Sequence, residues 1–246
     1  MAFFVRPLTH AMSIFGRIFG KDPAEENNPQ SKAEKESALP AKGGGNGYSF
    51  KWYDPGPENP FGIRVLDCRP LTWHVVATTK DKAIAERYNY LRRSDGKDLV
   101  SAPINDSIRC RVSLKFPHNG AALEGIVSKA DSMDVKWDIY IYDSIFLFAR
   151  SWTGELCYRA VATVGPSEIH ITEIECQSSD ANIAASNVYF LMGTHAMRRV
   201  LPHRLPEGTP EDPMMIATLS FSLFGKLGCY ASFEDITRIP ITPPKA

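Results

Sequence analysis

The chain has no apolar run approaching the ~18 residues that a membrane-spanning helix requires. It also has no excess of charge, because 28 Lys and Arg balance 28 Asp and Glu among 246 residues. The balance argues against a dedicated nucleic-acid binder, whose domains carry a basic surplus. Paired cysteines are missing as well: Cys68, Cys110, Cys157, Cys176 and Cys229 are odd in number and far apart. Disulfide frameworks are cysteine-dense and zinc sites use close C-x-x-C pairs, so this spacing predicts reduced thiols in a cytoplasmic, bacterial-type protein with no metal and no cofactor. No G-x-S-x-G elbow and no H-E-x-x-H string occurs. The glycines at 43–47 follow no strand and precede no Gly-Lys-Ser/Thr, so a phosphate loop fails its context test. No residue is given a catalytic role, and the reading leans away from an enzyme.

What is present divides the chain into four parts. Residues 1–21 are amphipathic and lack the apolar core and small-residue cleavage site of a secretory signal; Met12 also reads as a natural start. Ile14, Phe15, Ile18 and Phe19 share one helical face there, a pattern suited to contact with a membrane surface or a partner. Residues 22–47 have almost no large apolar side chain and read as a linker. Residues 48–239 read as a single domain, and 240–246 as an extended tail.

Within the domain, 63–66 and 73–78 read as short strands. Thr79 is placed to cap a helix from about 81 to 93. Residues 108–116 alternate strictly: Ile108, Cys110, Val112, Leu114 and Phe116 on one face, Arg109, Arg111, Ser113 and Lys115 on the other. Asn119-Gly120 signals a tight hairpin that folds this strand back on 123–127. Further along, 168–176 reads as a strand with a bulge near Thr172. Asp180 is placed to cap a helix from about 181 to 201, and 217–223 and 229–233 read as strands.

The centre is the stretch 135–163, three strands in succession. A two-residue turn at Asp143-Ser144 sets Ile141 opposite Phe146, Ile139 opposite Phe148 and Trp137 opposite Arg150. A three-residue loop over Trp152-Thr153-Gly154 then brings Leu156, Tyr158 and Ala160 to the face of Phe146 and Phe148, and is preferred because it buries no extra charge there; a two-residue turn would bring Cys157 and Arg159 to that face instead. Arg150-Ser-Trp-Thr-Gly resembles an element of uncharacterised bacterial domains; the resemblance implies no known chemistry. An arginine in so apolar a strand must find a partner, with Asp138 and Glu155 as candidates.

The fold expected is α+β: a mainly antiparallel sheet of about six to eight strands with two helices packed on it. Arg150, Trp152, Trp137, Arg109, Arg111, His195 and Arg198 are the candidate contact residues. They combine cations able to fork onto an anion with rings able to stack. The function expected is a non-enzymatic interaction or accessory protein, regulatory or immunity-type, with a protein partner and weak membrane-surface contact through residues 12–21. The alternative is an enzyme or sensor binding a phosphorylated small molecule or nucleotide, an anionic ligand, through an Arg/His-lined pocket.

Overall fold

A computed structural model describes residues 47–237. The amphipathic start, most of the linker and the tail lie outside the described residues.

The most regular part is a six-stranded antiparallel sheet built from β3 (Ser107–Pro117), β4 (Gly125–Ser128), β5 (Trp137–Tyr142), β6 (Ile145–Arg150), β7 (Leu156–Val164) and β8 (Glu168–Gln177). Its strand order is β3-β8-β7-β6-β5-β4. The β5–β6 register is the one expected, with Ile141 opposite Phe146 and Trp137 opposite Arg150. Asp143 (φ 50°) and Ser144 (φ 63°) are both left-handed, as a two-residue primed turn demands. The bulge near Thr172 is present as well: Val161 faces Glu173 while Ala162 faces Ile171, so Thr172 is skipped.

Several expectations are corrected. Leu156 does not share a face with Phe146, because a bulge on β7 sets it opposite Ala149 while Tyr158 stays opposite Phe148. Leu156 joins Tyr140, Tyr142 and Leu147 on the sheet's other side, beneath Leu99. β3 does not fold back on β4, and the two strands form opposite edges of the sheet. Asn119 is not left-handed; its side chain instead accepts from the Ala121 amide at 3.1 Å, closing a local turn.

The segment 73–78 is not a strand. Trp73 ends a one-turn helix, α1 (Arg69–Thr72). Helix α2 (Lys82–Leu91) is capped by Asp81, which accepts from the Ala83 and Ile84 amides, while Thr79 braces Asp81. The long helix expected over 181–201 is shorter: α3 (Ala184–Leu191) continues as a π-helical turn over Met192–Ala196, and Asp180 belongs to a separate 3₁₀ turn. The stretch 217–223 is helical, within α4 (Pro213–Phe224). Its alternating hydroxyls mimic a strand period. Thr218, Ser220 and Ser222 donate to the carbonyls of Met214, Ile216 and Thr218, four residues back, so they need no solvent face.

A second, four-stranded sheet has the order β1-β2-β10-β9, from β1 (Trp52–Tyr53), β2 (Val65–Asp67), β10 (Tyr230–Ser232) and β9 (Pro202–Arg204). Five spacings of about 4.8 Å would make the larger sheet about 24 Å wide if flat. Yet both of its edges reach the α3 segment, β3 at the helix and β4 at the π turn, so the sheet curls around it. Helix α3 is accordingly buried on nearly every side, from Ala184 to Leu191. One core holds Ile139, Phe148, Ile171 and Ile174 from the strands with Val188, Phe190 and Leu191 from the helix. Phe190, Phe224 and His203 pack at 4.4–5.6 Å between centroids and join this core to the smaller sheet.

Candidate functional site

Two of the candidate residues come together. Arg150 stacks on Trp137 at 4.7 Å, as their cross-strand register requires. Its guanidinium donates to the Leu223 carbonyl at 2.7 Å and to the Ser222 carbonyl at 2.9 Å. The indole of Trp137 donates to the same Leu223 oxygen at 2.7 Å. These oxygens belong to the last turn of α4, where unpaired carbonyls and the helix dipole favour a cation. The acceptor is thus a helix terminus in place of the Asp138 or Glu155 expected. Asp138 is spoken for by Lys129 at 3.0 Å and by the Ala130 amide.

Each residue of the Arg150–Gly154 string has a definite contact. Ser151 donates its hydroxyl to the Val135 carbonyl at 2.7 Å and its amide to the Lys136 carbonyl at 3.0 Å. Trp152 donates to the Met133 carbonyl at 2.9 Å. The Thr153 carbonyl accepts from Arg87 of α2 at 2.7 Å. Gly154 has φ 69°, and a β-carbon there would meet Leu91 at 2.8 Å. The string therefore clips together the sheet, the 133–136 segment, α2 and α4.

Lys136 is the residue the sequence reading missed at this place. Its ammonium lies 4.2 Å from the Trp152 ring and 5.0 Å from Phe221, and donates to the Met133 carbonyl at 2.9 Å. Burial, with help from Arg150, pushes it down to about 7. Its place next to Trp137 in an apolar run was the available signal. Burial also lowers Arg150 from its ordinary value.

The remaining candidates lie elsewhere. His195 is 1% exposed within the π turn. Thr194 already donates to the Phe190 carbonyl, so His195 Nδ1 is left to donate to the Thr194 oxygen at 2.8 Å; Nε2 has no protein partner. Burial, with Arg198 and Arg150, holds the ring down at about 3 and therefore neutral. Arg109 is exposed and pairs with Glu173 at 3.7 Å. Arg111 faces the same Glu173 across β3 and β8. Arg198 is exposed, at φ 56°, where the chain leaves the π turn. Trp137 and Arg150 are therefore in contact, Trp152 packs with Lys136 instead, and Arg109 and Arg111 sit on an outer sheet face.

Two histidine–serine pairs also occur. His203 Nε2 lies 2.8 Å from the Ser220 hydroxyl, with Cys68 3.4 Å from that oxygen. All three are at most 1% exposed, and burial holds His203 at about 4 and Cys68 at about 12. Such groups pack; they are closed to substrate. The Ser113–His170 contact, 3.0 Å, is on the outer face of β3 and β8. Among the described residues no three His, Cys, Asp or Glu side chains converge to hold a metal ion, and no helix is long and apolar enough to cross a membrane.

A broad concavity lies at one mouth of the curled sheet, beneath the connection from β3 to β4. It measures about 480 Å³ and is lined by Leu123, Val127, Phe146, Ile169, Met192 and Met197. His118 and Asn119 supply its polar rim. It is apolar and opens broadly to solvent. No protein-family model, curated protein or solved structure matches this chain.

Proposed function

We propose that this is a non-enzymatic binding protein that receives apolar side chains of a partner protein in the groove at the sheet mouth. The observation that carries the reading is the groove itself: about 480 Å³, apolar, open, and bounded by two methionines, Met192 and Met197. Methionine is unbranched and polarisable, so it suits a surface that adapts to a partner. A small-molecule site would enclose most of its ligand and aim several polar groups at it; here only His118 and Asn119 are polar. The cationic pocket of the alternative reading loses support, because Arg150 serves α4, His195 is buried and Arg109 is paired on another face. Five free cysteines support a reducing, cytoplasmic setting.

The test compares Leu123→Asp and Met197→Asp with Arg109→Glu for recovery of partners from the native host. Partners kept by wild type and Arg109→Glu but lost by both groove variants support the reading. Recovery insensitive to the groove, or thermal stabilisation by millimolar nucleotides or sugar phosphates, overturns it.

A further inference from the structure

We infer that, in the free chain, the apolar side chains Ile14, Phe15, Ile18 and Phe19 occupy this groove, so that a partner must displace them. The inference rests on the groove being the binding surface and adds how access to it is regulated.

Three observations carry it. The first is chemical match: the four side chains recur at the i, i+1, i+4, i+5 spacing of one helical face, with Arg17 and Lys21 off that face. The sequence thus carries an apolar stripe, and the described domain an open apolar groove. Removing both from water together is favourable.

The second is reach. Residues 22–46 separate the segment from Gly47, the first described residue, and make 25 positions (46 − 22 + 1). A coil of that length has a root-mean-square span of about 28 Å, and fully extended it covers about 85 Å. A folded domain of this size is about 30–40 Å across, so the groove is within reach wherever it lies relative to Gly47. The tether sets an effective concentration in the millimolar range, enough to populate a contact too weak to form between separate molecules.

The third is charge order. Exposed Glu124 follows Leu123 in the chain, and exposed Arg198 and Arg199 follow Met197. The segment carries Arg17 and Lys21 and is followed by Asp22, Glu25 and Glu26. Docking with Arg17 and Lys21 toward Glu124, and with the acidic residues toward Arg198 and Arg199, sets unlike charges together, so the field favours a single direction of docking.

The experiment uses the full chain with ¹³C-methyl methionine labelling. Met192 and Met197 line the groove, while exposed Met214 and Met215 serve as controls. In Phe15→Asp/Phe19→Asp, which alters no residue of the described domain, the Met192 and Met197 methyl signals move and those of Met214 and Met215 stay. The same variant binds a groove partner about tenfold more tightly, as expected when a millimolar internal competitor with a dissociation constant near 0.1 mM is removed. Unchanged Met192 and Met197 signals overturn the inference. If flotation with phosphatidylglycerol vesicles is lost in the variant at the same time, the segment's occupant is a lipid surface instead. Should the methyls stay put while Leu123→Asp still abolishes partner binding, only this inference falls. If neither responds, the groove reading falls with it.

Discussion

The guanidinium of Arg150 and the backbone carbonyl of Leu223 lie 2.7 Å apart, a cation of the larger sheet closing the last turn of α4. Ser222 accepts from the same fork, and Trp137 both stacks on Arg150 and donates to Leu223. An arginine that looks in the sequence like a ligand anchor is thereby a bolt between two parts of the fold. Its charge is offset by helix-end carbonyls rather than by a carboxylate.

Arg150→Met keeps the stack on Trp137 but removes both donors, leaving the Ser222 carbonyl without this partner. Hydrogen bonds to charged groups contribute about 1.5–3 kcal/mol, so urea denaturation should show a loss of about 2–3 kcal/mol. Arg109→Met, at an exposed ion pair, should change stability by no more than about 0.5 kcal/mol. Equal effects of the two would contradict the bolt.

Gly225 has φ 63°, and a β-carbon there would overlap the Asp134 carbonyl, which accepts from Lys226 at 3.0 Å. Gly225→Ala should therefore cost more than about 3 kcal/mol or prevent folding, because backbone blocks it. Gly154→Ala meets only the end of Leu91 and should cost about 1–2 kcal/mol. A thermal melt of each variant gives the order; the reverse order would show that the α4 terminus is less tightly seated than its contacts indicate.

Lys136 is held at about 7 against an ordinary 10.5. Between those values the unfolded chain binds a proton that the folded chain does not. Its contribution is therefore complete above 10.5 and lost as pH falls through 7. The thiols held at about 12, Cys68, Cys157 and Cys176, act in the opposite sense, but only above their ordinary 9.0. Stability should therefore rise from pH 7 to 9 by up to about 2 kcal/mol, and Lys136→Met should flatten the rise. A wild-type curve already flat over that range would mean the amine keeps its proton.

His203 and His195 are held at about 4 and about 3, against an ordinary 6.5. Their folded values are depressed, so the stability is present above 6.5 and falls away as pH drops toward those values. At pH 5 each costs roughly 2 kcal/mol relative to pH 7. His203→Phe, whose ring can keep the contacts to Phe190 and Phe224, should lose about half of the denaturation shift between pH 7 and 5. An unchanged shift would show that His203 does not titrate on unfolding.

The legible parts of the fold are those whose signals are local. Alternation and two turn-forming residues placed Ile141 opposite Phe146, and the broken alternation of Ile169, Ile171 and Ile174 located the bulge at Thr172. Asn119-Gly120 was misleading, because a tight-turn signal says nothing of which edge the next strand joins, and β4 pairs with β5 instead. Thr218, Ser220 and Ser222 imitated a strand by bonding back along their own helix. The site divides in the same way. The closeness of Arg150 and Trp137 followed from register, but Leu223 is 73 positions further along in the segment read as a strand. The groove was out of sight for the related reason that Leu123, Phe146, Ile169 and Met192 meet only once the sheet curls about α3.

Amide hydrogen exchange on the complex with a recovered partner tests the central claim most directly. Added protection is expected only at residues 117–127 and 192–197 around the groove, with the outer face of β3 and β8 at Arg109, Arg111 and Glu173 unchanged. Protection that falls on that outer face and leaves the groove at its free-state exchange would contradict it.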